Sequence, residues 1–492
     1  MSSYPLLSLA IWVPVVAGFA VLATGAERNA PLARRLALAG AALGFLVTLP
    51  LYAGFDTAHS GMQFEEIHAW IPYFNAQYHL GVDGISLLFV LLNSFITVLV
   101  VLAGWQSVQT RTAQYHAAFL IMSGLINGIF SALDGFLFYV FFEASLIPLY
   151  LIIGVWGGPR RIYAAIKFFL YTLAGSLLFL VSILYLLVRS GSFAILDWHL
   201  LPLALHEQIW LFVAFFIAFA VKVPMFPLHT WLPDAHVEAP TGGSVVLAAI
   251  ALKLGAYGFV RFSLPIAPDA AHLLAWPVII LSLIAVFYIG LVALAQTDMK
   301  KLVAYSSISH MGFVTLGLFL FSALSIEGAL VQMISHGFVS AAMFLCIGVL
   351  YDRMHSRQIA DYGGVVNTMP KFAALFLLFA MANAGLPATS GFVGEFMVIL
   401  AAVQFEFWVA FIAASTLILG AAYTLWMYGR VIFKAVANDA VRALTDISRR
   451  EFLILALLAL CVLGMGLYPQ AITRVMHVSV NDLLQHLAVK KY

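Results

Sequence analysis

Long apolar runs recur along this chain, and short polar segments separate them. A membrane-spanning helix needs roughly 20 mostly apolar residues. Runs of that length predict spans near 5–24, 32–54, 83–105, 113–132, 135–156, 165–188, 208–230, 242–262, 272–295, 302–322, 327–350, 371–401, 405–432 and 451–470. The runs are continuously apolar and do not alternate over short strands, which excludes a membrane β-barrel. The pattern predicts an all-α polytopic membrane protein with about 14 transmembrane helices.

Composition agrees with this pattern. The 492 residues are 63% hydrophobic and 9% charged, and the mean hydropathy is +1.02. A water-soluble domain carries about 25% charged residues, so the chain is an integral membrane protein. The first apolar run ends in "VLATGAERN", which is similar to a signal-peptide cleavage site. No basic region precedes that run, so we expect an uncleaved first span.

The positions of lysine and arginine predict the orientation. Of the 24 Lys and Arg residues, seventeen fall in segments on one side of the predicted spans and five, among them Arg261, on the other. Lys222 and Lys253 lie within spans. Because cytoplasmic loops carry the excess of basic residues, the N-terminus is predicted to face outward. Fourteen spans return the C-terminus to the same side.

Motifs for cofactors are missing from the sequence. Cys346 and Cys461 are isolated in apolar runs, and there is no C-x-x-C, P-loop or dinucleotide fingerprint. His229, Asp234 and His236 have the side chains of metal ligands, but their spacing is poor for a site. We therefore expect this chain to bind no nucleotide, iron–sulfur cluster, metal ion or nucleic acid.

Two predicted spans are interrupted in the middle. The seventh breaks at Pro224 and Pro227, in "FAVKVPMFPLHTWLPDAHVEAPTGG", and the twelfth breaks in "NAGLPATSGFVGEF". Proline removes a backbone donor and frees carbonyl groups upstream. Unsatisfied backbone at membrane depth is tolerated only where it is buried in protein or lines water. Each break therefore predicts local hydration.

The breaks also indicate an internal repeat within a single membrane domain, residues 1–492. Spans four to eight (113–262) and nine to thirteen (272–432) form two groups of five, and the broken span is the fourth in each. Since five is odd, the second group is predicted to be inverted relative to the first. Inverted repeats with broken helices at matching positions indicate an ion or substrate site near the midplane.

Six ionisable side chains lie within predicted spans. They are Glu143, Lys222, Lys253, His310, His336 and Glu395. A charged side chain at membrane depth costs about 2.5–3.5 kcal/mol on insertion scales, so each needs an explanation. A structural ion pair, packing histidines and simple proline kinks are the plain alternatives for single members. The whole series, placed on corresponding spans of both groups, favours a proton relay.

Several motifs carry a family resemblance. "FYVFFEASLIPLYLIIGVWG", "AVKVPMFPLHTWLPDAHVEAPT", "LAAIALKLGAYG", "KKLVAYSSISHMGF" and "GLPATSGFVGEF" resemble the antiporter-like, proton-translocating subunits of respiratory complex I over nearly the whole chain. The resemblance implies that Glu143 and Lys222 form an ion pair in the inner half and that Lys253 is the central carrier. It also implies that His310 and His336 line the connection and that Glu395 is the exit-side group.

The resemblance implies partners as well. NADH, FMN, iron–sulfur clusters and quinone are expected in partner subunits, and the other membrane subunits, including sister antiporter-like subunits, and lipids are expected around this chain. A bacterial inner membrane with both termini on the periplasmic side is the expected location. One sister type carries a long lateral helix after its last spans, and another carries lysine at the position of Glu395. The alternatives are a subunit of a cation/proton antiporter or of a membrane-bound hydrogenase, a stand-alone sodium/proton antiporter, and a passive scaffold.

Overall fold

The computed structural model describes residues 4–25 and 27–491, and most of them are helical. In chain order the first helices are Leu6–Ala23 (α1), Ala30–Ala53 (α2), Ser86–Ser107 (α3), Thr112–Ser131 (α4), Gly135–Ala144 (α5), Leu146–Trp156 (α6), Arg161–Ser190 (α7), Ile195–Leu200 (α8), Leu205–Lys222 (α9), Trp231–Glu238 (α10), Thr241–Val246 (α11) and Leu252–Gly258 (α12). The remaining helices are Leu264–Ile266 (α13), Pro268–Leu273 (α14), Ala275–Leu294 (α15), Met299–Leu318 (α16), Ala323–Met354 (α17), Pro370–Asn383 (α18), Ser390–Phe405 (α19), Phe407–Ile432 (α20), Asp439–Arg442 (α21), Arg449–Leu467 (α22) and Gln470–Ala488 (α23).

The helices confirm the polytopic class. Within the described residues, eleven helical segments are long and apolar enough to cross a membrane, and α18 and α19 are shorter apolar helices. Two further helices, α4 and α16, have 20 residues each. The exact number of spans and the inverted symmetry of the two repeats remain predictions.

A β-hairpin is the main departure from an all-α fold. The acidic, aromatic segment before the third span forms two antiparallel strands, Gln63–Ile71 (β1) and Ala76–Val82 (β2). Glu66 on β1 accepts a hydrogen bond from the backbone N of Leu7 at 2.8 Å, which satisfies a free donor in the first turn of α1. The hairpin thereby fixes the start of the first span.

The chain divides into two compact units. The first comprises Met1–Pro224, Ile250–Trp276 and Arg474–Tyr492. The second comprises Met225–Ala249 and Pro277–Thr473. Neither unit is continuous in sequence.

The C-terminal helix α23 completes the first unit through hydrogen bonds. Ser479 Oγ accepts from the backbone N of Gly84 at 3.0 Å. Beyond the helix, Lys491 Nζ donates to the carbonyls of Trp198 and Ile266 at 3.2 and 3.0 Å. Segments from both ends of the chain thus contribute to one compact body.

Aspartate caps set where helices α5 and α16 begin. Asp134 accepts from the backbone N of Phe136 and Leu137 at the start of α5. Asp298 accepts from the backbone N of Lys300 and Lys301 at the start of α16. A capping carboxylate satisfies donors that have no partner within the helix and fits the positive end of its dipole. These caps fix how far along each helix the residues Glu143 and His310 lie.

Both predicted breaks are present. Helix α9 ends at Lys222, two residues before Pro224, and the next helix begins at Trp231. Helix α18 ends at Asn383 and α19 begins at Ser390. In the second break Gly385 and Ala388 have φ of +78° and +72°, a left-handed backbone that reverses the chain locally.

Candidate functional site

Three of the predicted relay residues belong to the first unit. Glu143 lies one residue before the end of α5, Lys222 is the last residue of α9, and Lys253 is the second residue of α12. Lys222 is 4% exposed and Lys253 is fully buried, whereas Glu143 is half-buried. Charges so deeply buried require polar or ionic partners.

Glu143 and Lys222 interact electrostatically. The Glu143 carboxylate has Ser176 as a hydrogen-bonding neighbour and Lys222 as its opposite charge. The Lys222 ammonium lies over the Phe142 ring at 4.1 Å from its centroid, and such a cation–π contact partly replaces water around the charge. Helix α5, which carries Phe142 and Glu143, ends at Ala144, and α6 begins after Ser145. The structure places Glu143 within electrostatic range of Lys222, and a direct ion pair between them stays a prediction.

Lys253 is held by close helix packing. A Cβ atom added to Gly255 would lie 2.6 Å from the carbonyl oxygen of Phe219 and 2.9 Å from Cβ of Lys222. Only glycine allows α12 to approach α9 this closely. Segments of π-helix, Leu247–Ala251 and Phe259–Ser263, flank α12 on both sides. Such segments are often found at functional sites, because they shift the direction of nearby side chains.

We expect Gly255→Ala to weaken the first unit. The added methyl group meets backbone atoms, which cannot rotate away, and overpacking of this kind costs about 1–3 kcal/mol. The melting temperature of the purified protein should fall. Gly464→Ala on α22 is the matched control, because nothing lies within 4 Å of its added Cβ. An unchanged melting temperature for Gly255→Ala would mean that α9 and α12 can move apart without a loss in the free energy of unfolding.

The other three relay residues belong to the second unit, where two of them are in direct contact. His310 Nδ1 on α16 lies 2.6 Å from Glu395 Oε1 on α19. Gln332 Nε2 on α17 donates to the same oxygen at 3.0 Å. All three side chains are less than 5% exposed. A carboxylate that accepts from an imidazole and a carboxamide is well suited to exchange a proton with the imidazole.

His336 extends this group along α17. Its ring centroid lies 5.8 Å from that of His310, and its backbone carbonyl accepts from the Ser340 hydroxyl. One water molecule can bridge rings at such a separation. Glycine again permits the packing, since a Cβ atom on Gly394 would lie 2.6 Å from the backbone N of Gln332.

Some features of these sites escaped the sequence analysis. Gln332 is uncharged and stands out among apolar residues only by its polarity. Arg261, assigned to a loop at the end of its span, is instead 6% exposed within a helical segment. His236 stacks on Phe344 with ring centroids 4.5 Å apart. In residues 4–25 and 27–491 no group of three potential ligands is arranged to hold a metal ion.

Comparisons with known proteins place the chain in a family. Residues 132–420 match the family model for the transmembrane region of NADH:quinone oxidoreductase and Mrp antiporter subunits. NADH-quinone oxidoreductase subunit M of Rhodobacter capsulatus is 50% identical over 98% of this chain and 96% of that relative. NADH-ubiquinone oxidoreductase chain 4 of Marchantia polymorpha is 44% identical over 98% of both chains.

Solved structures give the same result. A chain of respiratory complex I from Thermus thermophilus with bound NADH matches with a TM-score of 0.90 and 33% identity, over 98% of this chain and 100% of that one. A chain of the Mrp complex from Dietzia sp. matches with a TM-score of 0.87 over 99% and 100%. At 19% identity, the second match shows the shared fold alone.

The fold and the buried ionisable groups define a polytopic, antiporter-like membrane subunit of a multi-subunit complex. Within that class, the chain belongs to the NADH-quinone oxidoreductase subunit M/chain 4 family of respiratory complex I. This confirms the resemblance seen in the sequence. It also favours complex I over the alternative of a cation/proton antiporter subunit.

Proposed function

We propose that six ionisable residues, five of them buried, carry protons across the membrane for complex I. In the first unit the carriers are Glu143, Lys222 and Lys253. In the second they are His310, His336 and Glu395. The electrons would pass from NADH to quinone through FMN and iron–sulfur clusters in partner subunits, and this chain would convert the energy released into proton transfer.

The observation that carries the proposal is the contact between His310 and Glu395. Their 2.6 Å separation in a buried environment joins two groups that can each hold or release a proton. A neutral hydrogen bond would serve packing equally well, and a passive scaffold has no need of titratable side chains at membrane depth. In the first unit, the half-buried Glu143 lies within electrostatic range of Lys222, and these two groups would form a second pair of proton carriers.

The surroundings of the chain follow from the same proposal. Sister antiporter-like subunits and lipids would surround it in a bacterial inner membrane. The excess of basic residues in the segments on one side assigns that side to the cytoplasm, which leaves both termini on the periplasmic side.

We expect Glu143→Gln to lower proton pumping at least about tenfold and to lower coupled quinone reduction with it. Glutamine preserves the size of the side chain, but it cannot lose a proton or balance the charge of Lys222. Glu143→Asp should retain part of both activities, because it keeps the charge. Quenching of a pH-sensitive dye in inverted membrane vesicles measures pumping, and assembly is checked by native electrophoresis. Wild-type pumping by an assembled Glu143→Gln complex would reduce this residue to a packing role.

A stand-alone sodium/proton antiporter makes a different prediction. Purified alone and placed in liposomes, such a protein would exchange sodium for protons. Under the proposal, the isolated chain neither oxidises NADH nor drives sodium-dependent proton movement. Sodium-dependent exchange by the isolated chain would favour the antiporter.

A further inference from the structure

A cavity of about 160 Å³ lies in the first unit, between the base of the β-hairpin, α8 and α23. We call the end of the first unit that carries these elements the hairpin face. The charged and polar side chains of its lining include Asp83, His199, Arg261, Ser479, Asp482 and His486. A cavity of this size has room for several water molecules, and these polar side chains can hydrogen-bond to them. None of these residues has a part in the proposed relay.

The inner end of this cavity is closed by a buried ion pair. Arg261 Nη2 donates to Asp83 Oδ2 at 2.7 Å, and the two side chains are 6% and 7% exposed. The other carboxylate oxygen of Asp83 accepts from the backbone N of Ile85 and Ser86. With both oxygens engaged by fixed donors, Asp83 strongly favours the ionised form.

The hydroxyl group of Tyr257 is the last side-chain group in the chain of hydrogen bonds that starts at Asp83 and Arg261. This hydroxyl accepts from Arg261 Nε at 3.1 Å and donates to the backbone carbonyl of Phe130 at 3.1 Å. A carbonyl cannot pass a proton on, and a guanidinium does not release one. The chain of hydrogen bonds from the cavity therefore ends at groups that cannot relay protons.

Aromatic rings fill the space around Tyr257. Phe89, Phe130 and Phe138 have ring centroids 6.4, 5.1 and 6.5 Å from the Tyr257 ring. All four side chains are at most 1% exposed. A close-packed apolar region of this kind excludes water.

The aromatic cluster around Tyr257 lies between Lys253 and the cavity. Lys253 and Tyr257 are four residues apart on α12 and so lie on one side of that helix. Arg261 follows in the π-helical segment, and its hydrogen bond to Tyr257 places it next to that residue. Eight residues of helix span about 12 Å. Along this segment Tyr257 and its aromatic neighbours lie between Lys253 and the ion pair that borders the cavity.

We propose that Asp83, Arg261, Tyr257 and the three phenylalanines form a proton seal between Lys253 and the cavity at the hairpin face. The seal keeps protons on Lys253 from escaping, or returning, through the first unit, and so determines that they move by the relay. This inference rests on the proposed function of Lys253. On the cavity side of the seal, burial lowers the pKa of His199 to about 3, and its Nε2–H donates to the Arg261 carbonyl at 3.0 Å, so His199 stays neutral.

The test is a double substitution that opens the seal without leaving an unpaired charge. Asp83→Asn with Arg261→Ala removes both charges and makes room for water. Asp83→Asn with Arg261→Met also removes both charges, but the methionine fills the space with apolar atoms. Each complex is reconstituted in liposomes. A potassium diffusion potential then drives protons inward while no NADH is present.

We expect the alanine pair to raise this passive proton flux several-fold and the methionine pair to leave it near the wild-type value. With NADH, the alanine pair should retain quinone reduction but build a smaller proton gradient. A relay residue would lower both activities, so this uncoupled pattern distinguishes a failed seal from a failed relay. If the complex with Asp83→Asn and Arg261→Ala assembles and its passive proton flux equals that of the wild type, the proposal is wrong.

Cysteine labelling tests the seal even if the alanine pair does not assemble. In a background with Cys346→Ala and Cys461→Ala, a charged, membrane-impermeant maleimide is applied from the hairpin face. Leu196→Cys, in the cavity wall, should be labelled, and Lys253→Cys, beyond the seal, should not. Labelling of Lys253→Cys from this face would show that water already reaches the carrier, and the proposal would be wrong.

Discussion

Lys253→Arg is expected to abolish proton pumping although the complex assembles. The side chain is completely buried, and a carrier at that depth must alternate between its charged and neutral forms. Lysine can do so in a buried site, whereas arginine keeps its proton under all physiological conditions. Pumping should fall at least about tenfold, and coupled quinone reduction should fall with it. Lys253→Ala should have the same effect through the loss of the carrier itself.

The control for this prediction is Lys371→Arg. That side chain is exposed, so the same exchange of cation should leave pumping unchanged. Proton uptake by inverted vesicles, corrected for the amount of assembled complex, is the measurement. Full pumping by assembled Lys253→Arg would show that this residue does not cycle protons, and the path through the first unit would have to avoid it.

Glu395→Lys is expected to have an equally large effect in the second unit. The substitution places an ammonium where the Glu395 carboxylate now accepts from His310 and Gln332. The carboxamide of Gln332 can turn to present its oxygen, and neutral His310 can present the unprotonated nitrogen, so the fold is preserved. The carboxylate, neutral when it carries a proton and anionic when it does not, is replaced by a group that is cationic when protonated. We therefore expect pumping to collapse in an assembled complex.

Glu395→Gln separates charge from shape at the same position. Glutamine retains an oxygen for His310 and Gln332 but cannot titrate, and it too should stop pumping. Glu406→Gln, an exposed site on the same part of the chain, should pump normally. If Glu395→Lys retains substantial pumping, the site needs only a titratable group, and the sign of its charge has no role.

Much of the fold was predictable because the bilayer imposes a length on every helix. Apolar runs of the required length located the spans, and Pro224 marked the end of α9 because proline lacks a backbone donor. The β-hairpin was not predicted. Its strands alternate only weakly between apolar and polar residues, and the long apolar runs on either side give a much stronger helical signal.

The sites were only partly predictable, for a different reason. An ionisable residue within an apolar run is conspicuous, because placing it at membrane depth costs free energy. The six candidate residues could therefore be named from the sequence. Which of them meet depends on packing between distant segments: His310 and Glu395 are 85 residues apart, and Asp83 and Arg261 are 178 apart. The glycines that allow the contacts are common in transmembrane helices, so Gly255 and Gly394 carried no distinct signal.

The discontinuity of the first unit has a consequence for biosynthesis. Its segment Ile250–Trp276 leaves the ribosome long before Arg474 and the residues that follow it. While residues 277–473 are being inserted, the backbone N of Gly84 and the carbonyls of Trp198 and Ile266 lack the partners that Ser479 and Lys491 later supply. Incompletely synthesised chains would therefore expose these unpaired backbone groups to membrane chaperones and proteases. Quality control in the cell would have a marker by which to tell a nascent subunit from a mature one.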